Sequence, residues 1–223
     1  MNLLIRDRGD NKGGISHAEV AFNIATDTSS VNVAELISTS SYQSMQDDPI
    51  VKNLLSKYSA QIDQANKVLG YNRTWRSGDT MRQLVADLYY ETGMKKWGNS
   101  YNIVLGGGFV SVRSPYNLAE GNVTYANLQS LFPFDNRLTL CSIKGSDLKS
   151  KFLETSNSNY FIRCGNYGES VRRNLDINAT YYVVVDTYTA YYKYNNLTVV
   201  DEYTDGIFAR DLLAEYVKKG GLS

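Results

Sequence analysis

Two short motifs in this chain have the composition to meet a flat ligand. A strand-like stretch, residues 101–105, ends in Gly106-Gly107-Gly108. Three successive residues without a Cβ let the backbone approach another group closely. Further on, Pro133-Phe134-Asp135-Asn136 precedes a second strand-like stretch, residues 138–143. A phenylalanine in a proline-anchored turn can present its ring face to a planar group. The chain also carries 18 tyrosines, whose apolar faces and polar tips suit sugar and base contacts as well as half-buried strands. Residues for bond-breaking chemistry are scarce by contrast. The single histidine, His17, sits in an alternating stretch and cannot alone supply a metal centre or a Ser-His-Asp set. Neither Gly-x-Ser-x-Gly nor Gly-x-x-x-x-Gly-Lys-Ser/Thr occurs, and the glycine run lacks the spacing of a dinucleotide fold.

Charge is balanced, with 23 basic and 23 acidic side chains and no basic run. This excludes a protein that holds nucleic-acid polymers by neutralising their phosphates. A chain of 223 residues, 43% apolar and 21% charged, has a globular composition. It can bury about 70% of its unfolded surface as one large domain or a domain with an appendage. No apolar run of about 18 residues predicts a membrane span, and the opening Met1-Asn2-Leu3-Leu4-Ile5-Arg6 has too short an apolar part for a secretory leader. Cys141 and Cys164 are either two isolated thiols or a bridge, the latter requiring Cα atoms within about 7 Å.

The elements around the motifs follow from periodicity. Residues 1–13 read as a frayed lead-in, and alternation at Ala18, Val20, Phe22 and Ile24, then at Val31 and Val33, predicts a hairpin turning at Asp27. Asp48-Pro49 opens a predicted helix whose apolar positions recur as far as Leu69, with Gly70 as its stop. A second helix is predicted over residues 79–92, closed by Gly93, and a short one between Thr124 as N-cap and Phe132. After the strand at 138–143, Ser146 is expected to cap a helix running to Glu154. Strands are expected at 160–164, 181–188 and 197–200, and a last helix at 205–219. The fold class is therefore α+β (mixed α/β): a mixed sheet covered by helices, preceded by a β-hairpin and a long connecting helix.

The order strand, Gly106-Gly107-Gly108, Gly121-Asn122-Val123-Thr124-Tyr125, Pro133-Phe134-Asp135-Asn136, Gly145-Ser146-Asp147-Leu148 resembles the C-terminal domain of the 5′-nucleotidase family, over roughly residues 75–218. That family includes UDP-sugar hydrolases and 2′,3′-cyclic-nucleotide phosphodiesterases. The resemblance implies a fragment: residues 1–46 as the last strands of a metallophosphatase domain, 47–74 as connecting helix and hinge, and 75–223 as the substrate-binding domain. It implies a hydrolase of phosphoester bonds in nucleotide catabolism, bacterial and extracytoplasmic (secreted, periplasmic or cell-surface). Its two divalent metal ions would lie in the N-terminal domain, with no cofactor and no catalytic residue in this piece. A nucleotide or nucleoside and the chain's own N-terminal metallophosphatase domain would be the partners. By the same resemblance Phe134 and Tyr188 sandwich the base, and Asn136 accompanies Phe134. Arg76, Arg113 and the backbone of Gly106, Gly107 and Gly108 orient the phosphate.

Departures fall on ligand-facing positions. Where the family has Asn-Gly-Gly-Gly-Ile-Arg, this chain has Leu105-Gly106-Gly107-Gly108-Phe109-Val110. The family's Gly-Gly-Asp turn after the second ring is replaced by Tyr191-Tyr192-Lys193-Tyr194. The alternative is thus a degenerate binding or interaction module, or a phosphoesterase domain for a non-nucleotide substrate.

Overall fold

The computed structural model describes residues 2–5, 14–38, 46–107, 117–153, 171, 174–204 and 208–223. The chain forms two compact units, Met1–Ser59 and Ala60–Ser223.

In the first unit, β2 (Gly14–Asn23) and β3 (Thr28–Ser38) make the expected antiparallel hairpin. Asp27 takes a left-handed φ of 49° in its turn, a conformation Asp tolerates better than most residues. Of the lead-in, residues 1 and 6–13 lie outside the described residues. Residues Asn2–Ile5 form β1, paired from Asn2↔Glu19 to Ile5↔Ser16. The helix α1 (Pro49–Ser56) starts as its sequence dictates: Asp48 Oδ1 accepts from the N–H groups of Ile50 (2.8 Å) and Val51 (3.1 Å), with proline at the first position.

The single helix predicted through Leu69 does not form. The chain turns at Lys57 and Tyr58, α2 covers Ser59–Asn66, and Val68–Asn72 becomes β4. Strand pairing with β6 (Gly121–Thr124), from Val68↔Thr124 to Asn72↔Gly121, outweighs the local helical pattern. The second unit begins at Ala60. Gly70 is no helix stop. A Cβ there would lie 2.7 Å from the Val217 carbonyl oxygen of α6 (Ala209–Lys218), so glycine allows that helix to pack on the ribbon.

Among the described residues, the second unit has a four-stranded mixed sheet in the order β5 (Ile103–Gly106), β8 (Thr180–Asp186), β7 (Leu138–Lys144), β9 (Thr198–Glu202). β5 runs parallel to β8, whereas β7 is antiparallel to both β8 and β9. On one face, Leu138, Leu140 and Val184 pack with Met81, Val85 and Tyr89 of α3 (Gly78–Trp97), with Leu128 of α4 (Tyr125–Leu131) and with Leu213 of α6. On the other, Leu105, Cys141, Val183 and Val185 meet Leu148 of α5 (Gly145–Leu148), Phe152, Ala190 and Leu197. The predicted mixed sheet covered by helices is present.

Several boundaries differ for identifiable reasons. α3 passes through Gly93 because a Cβ there would fall 2.3 Å from Val184 Cγ2; the glycine lets helix and strand approach. Thr124 caps α4 as expected, in a reciprocal box with Asn127 (Thr124 N–H to Asn127 Oδ1, 2.8 Å). Ser146 does not cap α5. That helix starts from Lys144 and gives way to a wider π-turn at Lys149–Leu153. The strand expected at 160–164, and Cys164 with it, lies outside the described residues, while Cys141 is buried with a free thiol that burial pushes up to about 12.

Candidate functional site

Strand direction decides what meets at one end of the main sheet. β5 and β8 are parallel and finish at Gly106 and Asp186, β7 is antiparallel and begins at Leu138, and β9 finishes at Glu202 opposite Thr139. Gly106-Gly107, the Pro133–Arg137 turn and the Thr187-Tyr188 turn therefore share that end. Hydrogen bonds join the last two. The Thr187 N–H donates to the Arg137 carbonyl (2.9 Å), the Arg137 N–H donates to Thr187 Oγ1 (3.2 Å), and Thr187 Oγ1 donates to Asn136 Oδ1 (3.5 Å). Phe134 is 47% exposed and Tyr188 37%. Phe134, Asn136 and Tyr188, which the sequence singles out, thus sit on two stapled turns.

The described glycines take part in the sheet and its packing. Gly107 donates to the Val184 carbonyl (2.9 Å) and prolongs the ladder. At Gly106 a Cβ would lie 2.3 Å from the Ala86 carbonyl oxygen and 2.4 Å from the Tyr90 nitrogen. Its bareness therefore admits α3. Gly108 and Arg113 lie outside the described residues. Arg76 belongs to the β4–β6 ribbon: its backbone bridges Leu118 and its Nε donates to Asn72 Oδ1 at 3.0 Å. No hydrogen bond joins Arg76 to Phe134, Asn136 or Tyr188 among the described residues.

The second ring stands at the start of a short helical segment that continues as the π-helix Thr189–Lys193, not on a strand, because β8 stops at Asp186. The Asp186 side chain is fully buried, and its Oδ1 accepts from the Thr189 N–H at 2.7 Å. Its Oδ2 has no hydrogen-bond partner among the described residues. Burial pushes this carboxyl up to about 7 against the opposing pull of the Thr189 and Tyr188 hydrogen bonds. Beyond it, the Tyr188 ring stacks on Tyr192 (centroids 6.0 Å apart, 29° between planes), and the Lys193 ammonium lies 5.8 Å from its centre. Tyr192 is 79% exposed. Tyr191 is tied down, its hydroxyl donating to Glu202 Oε2 at 3.0 Å while Arg137 Nη1 reaches Glu202 Oε1 at 3.4 Å.

Arg210 escaped the sequence reading. It is only 8% exposed at the start of α6, where Phe208 bridges Arg137. Its Nε donates to the Tyr125 hydroxyl (2.9 Å), Nη1 to the Phe134 carbonyl (3.4 Å) and Nη2 to Asp135 Oδ1. One arginine among 23 basic residues gives no local sign that it is buried. For Asp186 a sign existed: it ends the apolar run Val183-Val184-Val185, where a carboxylate is out of place. Among the described residues, no three His, Cys, Asp or Glu side chains converge as a metal-binding group, and no helix is long and apolar enough to cross a membrane.

Residues 60–167 match the family model described as 5′-nucleotidase, C-terminal domain. Two solved structures share the architecture. The 5′-nucleotidase precursor from Thermus thermophilus is 16% identical with a TM-score of 0.57, the match covering 93% of this chain and 47% of that one. A Staphylococcus aureus protein described as a 5′-nucleotidase, solved in complex with alpha-ketoglutarate, is 14% identical with a TM-score of 0.56, covering 94% and 48%. At these identities the likeness is one of fold, and the chain spans about half the length of each. No curated protein sequence matches it.

Proposed function

The chain carries a domain of the 5′-nucleotidase C-terminal family over residues 60–167, and from that premise we propose that it is the nucleoside-recognising half of a two-domain, metal-dependent phosphoester hydrolase. The observation that supports this most is the stapling of the Pro133–Arg137 turn to the Thr187-Tyr188 turn at one sheet end, each turn carrying an exposed ring. Rings held in this way can take up a base on their faces, and stacking contributes about 1–3 kcal/mol per base. Asn136 Oδ1 accepts from Thr187, so in this reading Asn136 helps to set the turn's position beside the base.

Chemistry would belong to the other half of the protein. Two divalent ions held there would activate a water and clamp the phosphate. In this proposal the first unit, with its hairpin and α1, is the tail of that catalytic domain, and the full-length protein works outside the cytoplasm in nucleotide breakdown. The residues here would bind, orient and carry the substrate.

One observation favours a second reading. Tyr192 already stacks on Tyr188, and tyrosines and a lysine fill positions 191–194. A site recast in this way would suit a non-nucleotide phosphoester. Titration calorimetry of adenosine, AMP and UMP against the chain and its Phe134→Ala variant separates the two. AMP or adenosine binding weakened about tenfold to hundredfold by Phe134→Ala is the expected result. Binding that ignores Phe134 removes the base platform, and no binding of any nucleotide at millimolar concentration favours the second reading.

A further inference from the structure

We propose that Arg210 is the positioning residue for the Phe134 ring, acting by clamping the backbone of its turn to α6; the inference rests on the stacking role given to Phe134 above. A ring on an exposed turn stacks well only if the turn is held in one conformation, because a site held loosely loses affinity to ordering costs. Neighbours brace the turn at consecutive residues. Gln129 Nε2 donates to the Pro133 carbonyl (3.3 Å), Arg210 takes the Phe134 carbonyl and the Asp135 carboxylate, and Thr187 takes Asn136. Of these braces Arg210 is the one that reaches both Phe134 and Asp135, and it does so from a nearly buried side chain. Arginine is rarely buried unless its donors are used, and here all three of its nitrogens donate.

The remaining contacts confine the effect to the turn. If the guanidinium is removed, the Tyr125 hydroxyl keeps its bond to Asp211 Oδ1 (2.9 Å), and Asp211 Oδ2 still accepts from the Phe208 N–H (3.1 Å). The Asp135 side chain, 64% exposed, can turn to water. What is lost is the grip of α6 on the Phe134 carbonyl. Lysine would not restore it, because a single ammonium cannot reproduce a planar fork that spans two acceptors.

The test compares wild type, Arg210→Met, Arg210→Lys, Asp135→Ala, Phe134→Ala and Arg210→Met/Phe134→Ala, each checked for folding by its thermal melt. AMP is the probe in calorimetry, and amide hydrogen exchange is read at Phe134, Asp135 and Asn136. Arg210→Met is expected to weaken AMP about tenfold, with Arg210→Lys nearly as weak and with no further loss when added to Phe134→Ala. Exchange at the three turn amides is expected to rise about tenfold while that of Leu140 and Cys141 in β7 stays as it was. An equal AMP loss from Arg210→Met in both backgrounds, or unchanged exchange at the turn, overturns the proposal. If wild type does not bind AMP, the nucleoside reading fails, and exchange still decides whether Arg210 holds the turn. If Arg210→Met does not fold, Asp135→Ala takes its place. It removes one of the two acceptors that the guanidinium spans, and faster exchange at Phe134 and Asp135 is expected, whereas unchanged exchange counts against the clamp.

Discussion

Gly106→Ala is expected to lower the thermal midpoint by roughly 6–12 °C. The added methyl would meet the Ala86 carbonyl oxygen at 2.3 Å, the Tyr90 nitrogen at 2.4 Å and Tyr89 Cβ at 3.0 Å. The two nearest atoms are α3 backbone and cannot swing aside as a flexible side chain would. Helix and sheet must separate, which costs about 3 kcal/mol for overpacking of this kind. Circular dichroism melts of the variant and of wild type measure it. The outcome also decides what the glycine run is for. If Gly106 were bare in order to admit a ligand, the substitution would spare the melting temperature and lower nucleotide affinity alone, and the packing assignment would be wrong.

Asp186→Asn is expected to flatten the pH dependence of stability and to stabilise the protein at alkaline pH. The folded carboxyl titrates near 7 against an ordinary value of 3.8, chiefly because burial disfavours its charge. In this case the folded value lies above the unfolded one. The native state therefore holds a proton that the unfolded chain has already released between about pH 4 and pH 7. Stability is greatest below that window, falls through it, and above it carries a constant penalty of about 4 kcal/mol. Tyr89 of α3 faces the same charge, and its phenol is pushed well up, first by its own burial and then by Asp186. Asparagine keeps an oxygen for the Thr189 N–H and removes the charge, but buries an amide donor costing about 1–3 kcal/mol. The net expectation is a gain of about 1–3 kcal/mol at pH 8.5 and none, or a small loss, at pH 4.5. Urea titrations at both pH values test it. A wild-type stability that does not fall between them would show that the buried carboxyl is not neutral in the folded protein. The consequence reaches the site, because Asp186 anchors the turn that carries Tyr188.

Features whose cause lies within about four residues were legible in the chain. Asp48 with Pro49 opens α1, and Thr124 with Asn127 opens α4, because a cap is a bond between a side chain and the next turn's N–H groups. Alternation marked β2 and β3, and the apolar runs marked β7 and β8. The Phe134 turn was recognisable from its own four residues. The Ser146 cap aside, the misplaced features were those whose cause is distant. Val68–Asn72 carries part of a helical pattern, yet pairs with a strand some fifty residues away. Gly70 and Gly93 resemble helix stops in one dimension, but each admits an element packed against it, α6 or β8, and the packing of α3 on Gly106 is equally invisible there. Arg210 looks like any surface arginine until α6 is set beside the turn. The residues fixed their caps, turns and periodicities through short-range bonding. Which glycine admits a helix, which carboxylate loses its water and which arginine holds the ring depend on burial and close approach, and these arise only when segments far apart in the chain are packed together.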